Sequence, residues 1–374
     1  MSSSAIDIFG NQADNFKNKI INGNFDFWQR MRGTASAYQF PSNGVPTGVD
    51  ITAFVADRWF VSSTMSGSDT YVANVQRQEF AAGQNKIQSL PTYYCNFSGV
   101  VTESGGTATQ VSLAQRIENV KTFAGKQVTV SFWIKGSVDG YVSFRVNQKF
   151  GSGGSPSTAV NVGQRQFELA TTWTQQVFTF TMPEIATGTS IGTEKDDCLE
   201  IAFHTYCSAS HLGQQGKTKY DGTVSIAEVQ MEEGPQATMF DKRMPQIELG
   251  MCQRYFETGY LNQTVFSDSS GDSSNRRNYL FVPYKTKKKE YDWAQDTDLK
   301  WDELGVVGGL PMTSNPATDI PPNHGPAQFR HSIGGIDSNN QVSTANVNGG
   351  GISGYQPEGF LVNWNSAGSN AWCK

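Results

Sequence analysis

Apolar and polar side chains alternate in steps of two over most of residues 20–231, the periodicity of strands with one dry and one wet face. The clearest run is Gln127 to Lys135. Val128, Val130, Phe132 and Ile134 point one way and Thr129, Ser131 and Lys135 the other, with Trp133 the one large aromatic on the polar side. Gly136 to Gly140 supplies turn residues. Val142, Phe144 and Val146 then alternate with Ser143, Arg145 and Asn147, which predicts an antiparallel hairpin. The same pattern predicts strands at Gln175 to Met182 and Cys198 to Cys207. Weaker versions lie at Ile20 to Trp28, Asp57 to Ser62, Thr70 to Gln78, Tyr93 to Ser98, Gln110 to Glu118 and Thr223 to Met231. About ten strands without intervening helices predict an all-β fold, an antiparallel two-sheet sandwich.

Periodicity changes near residue 245. Pro245 suits a first helical turn, Leu249, Cys252 and Phe256 recur at helical spacing beside Tyr255, and Gly259 can end the element. This predicts a short linker helix over 245–258. Beyond it, Tyr279 to Tyr284 and Gly359 to Trp364 are strand-like, whereas residues 305–358 are rich in Gly, Pro, Asn and Ser. The expected organisation is an arm over 1–19, a sandwich over 20–240, the helix, and a smaller C-terminal β-domain with long loops over 259–374. No repeat of 20 to 50 residues is evident, which argues against a β-helix or propeller.

Composition narrows the function classes. The 374 residues carry 29 Lys and Arg against 34 Asp and Glu, so no basic excess exists to neutralise phosphates, which argues against nucleic acid as partner. No apolar run approaches a membrane span, and Met1 to Gly10 has neither the basic nor the apolar region of a signal peptide. Membrane insertion and export are not expected. Five widely spaced cysteines without a CxxC pair predict reduced thiols.

Particular residues carry a resemblance. Ile21-Asn22-Gly23-Asn24-Phe25-Asp26-Phe27-Trp28-Gln29-Arg30 followed by Ala56-Asp57-Arg58-Trp59 is similar to the start of bacteriophage tail-fibre and other virion structural proteins. Later motifs follow in the same order: Gln115-Arg116-Ile117-Glu118, Gly125-Lys126 leading into Ser131-Phe132-Trp133, and the loop Phe150 to Pro156. Gln230 to Gly234 with Ala237-Thr238, and Glu248 to Phe256, complete the series. The match spans residues 20–257; Met31 interrupts the opening motif, and the C-terminal third matches only loosely. The resemblance implies a jelly roll like that of carbohydrate-binding modules, a homotrimer in the virion assembled in the host cytoplasm, and contacts with other virion proteins. It invites a search for structural calcium, for which Asp221 and Glu228 are the nearest carboxylates; no other cofactor is expected.

Catalytic chemistry finds little support. Adjacent carboxylates such as Asp196-Asp197 and Glu232-Glu233 diverge from a strand, are poor acid–base pairs, and are expected as exposed turn charges. No GxSxG elbow is present. Cys198, His204, Cys207 and His211 have the wrong spacing for a zinc finger, and strand parity places the first two and the last two on different faces. Sugar binding fits better, because saccharide rings stack on aromatics while Asn and Gln bind hydroxyls. The candidates are Trp133 and Tyr206, both out of step with their apolar faces, and Tyr291, Trp293, Trp301 and Tyr355 among polar loop residues. The cluster Lys285, Lys287, Lys288 and Lys289 is the concentrated positive patch. The sequence therefore predicts a non-enzymatic virion protein, a tail fibre or tail-associated adhesin binding host-surface glycan. A capsid decoration or head-fibre protein and a polysaccharide depolymerase are the alternatives.

Overall fold

The computed structural model describes residues 16–29, 37–40, 51–208, 218–256, 258–261, 266–267, 278–283, 286, 300–301, 329–332, 335–340 and 360–363. Two compact units divide the chain, Met1–Cys252 with Ser369–Lys374, and Gln253–Gly368.

The first unit is an antiparallel two-sheet sandwich with jelly-roll architecture. Sheet A runs in the order β1 (Ala37–Phe40), β4 (Thr70–Glu79), β5 (Tyr93–Thr102), β13 (Val224–Glu233), β7 (Gln127–Gly136) and β10 (Thr174–Thr181). Sheet B runs β2 (Ile51–Phe54), β3 (Trp59–Thr64), β6 (Gln110–Glu118), β11 (Cys198–Cys207), β8 (Gly140–Lys149) and β9 (Val160–Leu169), with β12 (Thr218–Lys219) paired to β11. The period-two pattern explains the core. Val128, Val130, Phe132 and Ile134 of β7 meet Val142, Phe144 and Val146 of β8 and Leu199, Ile201 and Phe203 of β11 in one buried cluster. Phe132 packs edge-on against Phe203, with ring centroids 4.9 Å apart.

Residues 20–28, expected as a strand, form no regular element. Asn22 and Phe25 adopt positive φ (57° and 58°), so the chain folds back on itself. The Asn22 side chain donates to the carbonyls of Phe27 and Asp57 and accepts from the Phe27 N–H, and Trp59 Nε1 donates to the Asn22 carbonyl at 3.0 Å. Gly23 lies so near the Val229 carbonyl that a Cβ there would overlap it. This segment takes over where β5 leaves β13. β5 pairs with β13 only at Val224 to Ile226, and beyond a bulge Val229 N–H donates to the Gly23 carbonyl at 2.8 Å.

A second bulge, between His204 and Tyr206, shifts the register of β11 by one residue. It turns Tyr206 inward, where the residue is 2% exposed in the core, so Tyr206 is no platform for a ligand. The extra residue, Thr205, donates to the carbonyl of Gly99, and a Cβ on Gly99 would come within 2.6 Å of Thr205 Oγ1 and of Val111 Cγ1. Gly99→Ala is therefore expected to cost about 1–3 kcal/mol through overpacking. Urea denaturation tests this, and unchanged stability would refute the role given to Gly99.

The helix α1 (Pro245–Gln253) ends before residue 258, well short of Gly259. It is anchored on the first unit: Glu248 accepts from the Asn22 N–H and from Arg243, and Cys252 is buried. No helix among the described residues is long and apolar enough to cross a membrane. The second unit contains a sheet of β14 (Thr258–Leu261), β20 (Phe360–Asn363) and β17 (Lys300–Trp301), and another of β15 (Phe266–Ser267), β16 (Asn278–Pro283), β19 (Gly335–Asn340) and β18 (Phe329–Ser332).

Candidate functional site

The outer face of sheet A gathers aromatic side chains that the alternation excludes from the core. Cross-strand register sets two neighbouring rows. One joins Gln78 to Tyr94 on β4 and β5 and Ala227 to Trp133 and Gln175 on β13, β7 and β10, and the other runs Gln76, Asn96, Ser225, Lys135. Trp173, immediately before β10, extends the second row. Small residues on β13 create the site. Ala227 and Ser225 are buried, and their short side chains leave room for larger groups on the flanking strands to meet above them. Tyr94 and Trp173 pack edge to face with centroids 5.3 Å apart, and Phe80 lies 4.7 Å from Tyr94 and 5.2 Å from Trp173. The Lys135 ammonium sits 5.2 Å from the Trp173 ring centroid and 5.5 Å from that of Tyr94.

All four aromatics, Phe80, Tyr94, Trp133 and Trp173, are half-buried, which leaves ring surface to solvent. Asn96, Gln76 and Gln175 supply amides beside them, and Ser225 Oγ donates to Asn96 Oδ1 at 2.7 Å, fixing that side chain. Burial pushes the Tyr94 hydroxyl above its usual range, so it stays a neutral hydrogen-bonding group at neutral pH. Apolar ring faces bordered by amides and hydroxyls suit a saccharide, whose C–H faces stack while its hydroxyls exchange hydrogen bonds.

Of the sequence candidates, Trp133 lies on this face. Tyr291, Trp293 and Tyr355 lie outside the described residues, as do Lys285 and Lys287 to Lys289; Trp301 lies in β17, paired with Val362. The sequence reading missed Phe80, Tyr94 and Trp173. Tyr94 is out of step with Cys95 and Phe97 and was legible by the test that found Trp133, whereas Trp173 joins the face only through the register of β10 on β7.

Other candidates resolve into structural roles. Asp221 is exposed in a turn, whereas Glu228 is buried at the β13 bulge with φ 51° and accepts from Ser89. No group of three or more His, Cys, Asp and Glu among the described residues is placed to hold a metal. The β11 bulge corrects the zinc reading as well: Cys207 pairs with Gln110 and shares the outer face with Cys198 and His204, while His211 lies outside the described residues. Asp196 and Glu232 are buried, contrary to expectation, because each organises a loop. Asp196 accepts from Ser152 N–H at 2.6 Å and Oγ at 2.7 Å, and Glu232 from Thr238 N–H at 2.9 Å and Oγ1 at 2.7 Å.

The family described as Carbohydrate binding domain matches residues 83–197, a span that contains Tyr94, Trp133, Lys135 and Trp173. That match supports glycan recognition by the segment it covers. Among solved structures, a putative sugar binding protein from Bacteroides thetaiotaomicron is 17% identical, with 58% of this chain and 100% of that one covered and a TM-score of 0.32. A CBM4 is 18% identical over 57% and 98%, with a TM-score of 0.29. The enzymatically active domain of tailspike protein 4 from bacteriophage CBA120 is 14% identical over 58% and 22%, with a TM-score of 0.28. No curated protein matches the sequence.

Proposed function

We propose that the chain is a non-catalytic bacteriophage virion protein, a tail fibre or tail-associated adhesin, whose sandwich binds a host-surface glycan on the outer face of sheet A. The platform of Tyr94, Trp133 and Trp173, inside the segment matched by a carbohydrate-binding family, carries the binding part of this reading. The ordered motif series from Asn22 to Phe256 supports the virion part. Assembly as a homotrimer in the host cytoplasm belongs to the same proposal, since repeating a weak sugar contact raises avidity through effective concentration.

A glycan array followed by calorimetric titration of the best hit tests the binding. Trp173→Ala is expected to weaken that hit about tenfold, the loss of one stacking surface, while changing stability by about 0.5 kcal/mol or less because the ring is half-exposed. Unaltered binding in both Trp173→Ala and Trp133→Ala would refute the platform. Release of reducing ends from host polysaccharide by the pure protein would overturn the non-catalytic reading, and light scattering that gives a single chain per particle would overturn the trimer.

A further inference from the structure

Lys135 is the cation at the centre of the platform, and the described residues give it no carboxylate partner. Its ammonium lies over the paired rings of Trp173 and Tyr94, and across the register stand Ser225 and Asn96, all uncharged. Two other lysines of the sandwich, one at the end of β8 and one just before β7, are paired with carboxylates. Lys149 lies 2.6 Å from Glu200, and Lys126 lies 2.5 Å from Glu233. The ring faces hold the Lys135 ammonium among the groups a sugar would touch, where a surface chain would otherwise swing into water. From this we infer that the platform selects an acidic saccharide, a sugar ring carrying a carboxylate, sulfate or phosphate that pairs with Lys135 while its apolar face stacks on the aromatics.

The inference rests on the glycan-binding reading above and adds the charge of the ligand. Its test compares matched probes on the full chain: oligogalacturonate, the same oligosaccharide methyl-esterified so that its rings stay and its charge goes, and a sulfated and a phosphorylated oligosaccharide of equal length. The expected result is about tenfold tighter binding of at least one anionic probe than of the esterified one, with the ratio falling as salt rises. Which anion wins separates carboxylate from sulfate and phosphate. In Lys135→Gln the ratio collapses towards one, whereas Lys135→Arg, which keeps the charge, preserves it. Equal binding of charged and esterified probes by the unaltered protein, or a ratio that survives Lys135→Gln, overturns the inference. If those results come with binding that Trp173→Ala weakens, the platform stands and only its charge selectivity falls. An array with no hit at all, charged or neutral, overturns both.

Discussion

Replacing Arg243 by alanine is expected to destabilise the sandwich by about 3–5 kcal/mol, the range for stranding one partner of a buried ion pair. The guanidinium side chain is 4% exposed. It donates to Glu248 Oε2 at 2.8 Å, to the Ile20 carbonyl at 3.2 Å and to the Asn18 carbonyl, and it lies 5.7 Å from the centroid of the Phe16 ring. Removing it leaves the Glu248 carboxylate buried with the Asn22 N–H and strips two carbonyls of the segment that pairs with β13. Lysine restores the charge and lacks the planar fork, so Arg243→Lys should recover only part of the loss. Urea denaturation of the single variants and of Arg243→Ala with Glu248→Ala gives the coupling between the two groups. A loss below about 1 kcal/mol in Arg243→Ala would show that the N-terminal segment is held by other contacts.

The folded-back segment around Asn22 also explains the motifs that carry the virion-protein resemblance. Asn22, Gln29, Asp57 and Trp59 hydrogen-bond to one another, Gly23 accepts from Val229 of β13, and Trp28 donates to the Phe25 carbonyl. Gln115 brackets Ile21 through its N–H and its carbonyl, at 2.9 and 2.8 Å. Gln230 accepts from the Asp241 N–H and Glu232 from Thr238. These residue types are fixed by wiring, and the aromatics of the platform are not among them, apart from Trp133. A motif series of this kind reports how the chain closes on itself and leaves the choice of ligand to the face beside it.

Strand periodicity was legible wherever one face is greasy along its whole length: Gln110–Glu118 and Cys198–Cys207 have the bounds their alternation predicts. The strand β9 was not legible, because it lies at a sheet edge and its middle reads Gly163-Gln164-Arg165-Gln166, with Phe167 and Leu169 as its fully buried apolar residues. Gly163 is there for a tertiary reason, since a Cβ would come within 3.1 Å of the Phe180 ring on the other sheet. Bulges defeat parity in a similar way. Counting in twos along β11 is correct to His204, and one inserted residue then exchanges the faces of Tyr206 and Cys207. Of the candidate site, Trp133 and Tyr94 were legible by parity, whereas a platform that draws on five strands exists only once their order is known.

Glutamine at Glu200 is expected to lower stability at pH 7 by on the order of 3 kcal/mol and to flatten the acid side of the stability profile. Burial on the outer face of sheet B pushes the Glu200 carboxyl up, but Lys149 at 2.6 Å and Arg116 at 2.8 Å outweigh it and hold the group at about 2, against an ordinary 4.5. The sign follows from which state takes up the proton. As pH falls below about 4.5 the unfolded chain protonates this carboxyl while the folded chain keeps it ionised. The contribution is therefore complete above that pH and disappears as pH approaches 2. Arg116 and Lys149 have side chains 18% and 34% exposed, so they can hydrate once the carboxylate is gone, and the variant should remain folded. Urea denaturation of both proteins from pH 7 down to 2.5 reads the difference, which should shrink through the window between about 4.5 and 2 while other carboxylates affect both alike. A gap that stays constant across that range would mean that the Arg116–Glu200–Lys149 cluster contributes through packing, with its charge irrelevant to stability.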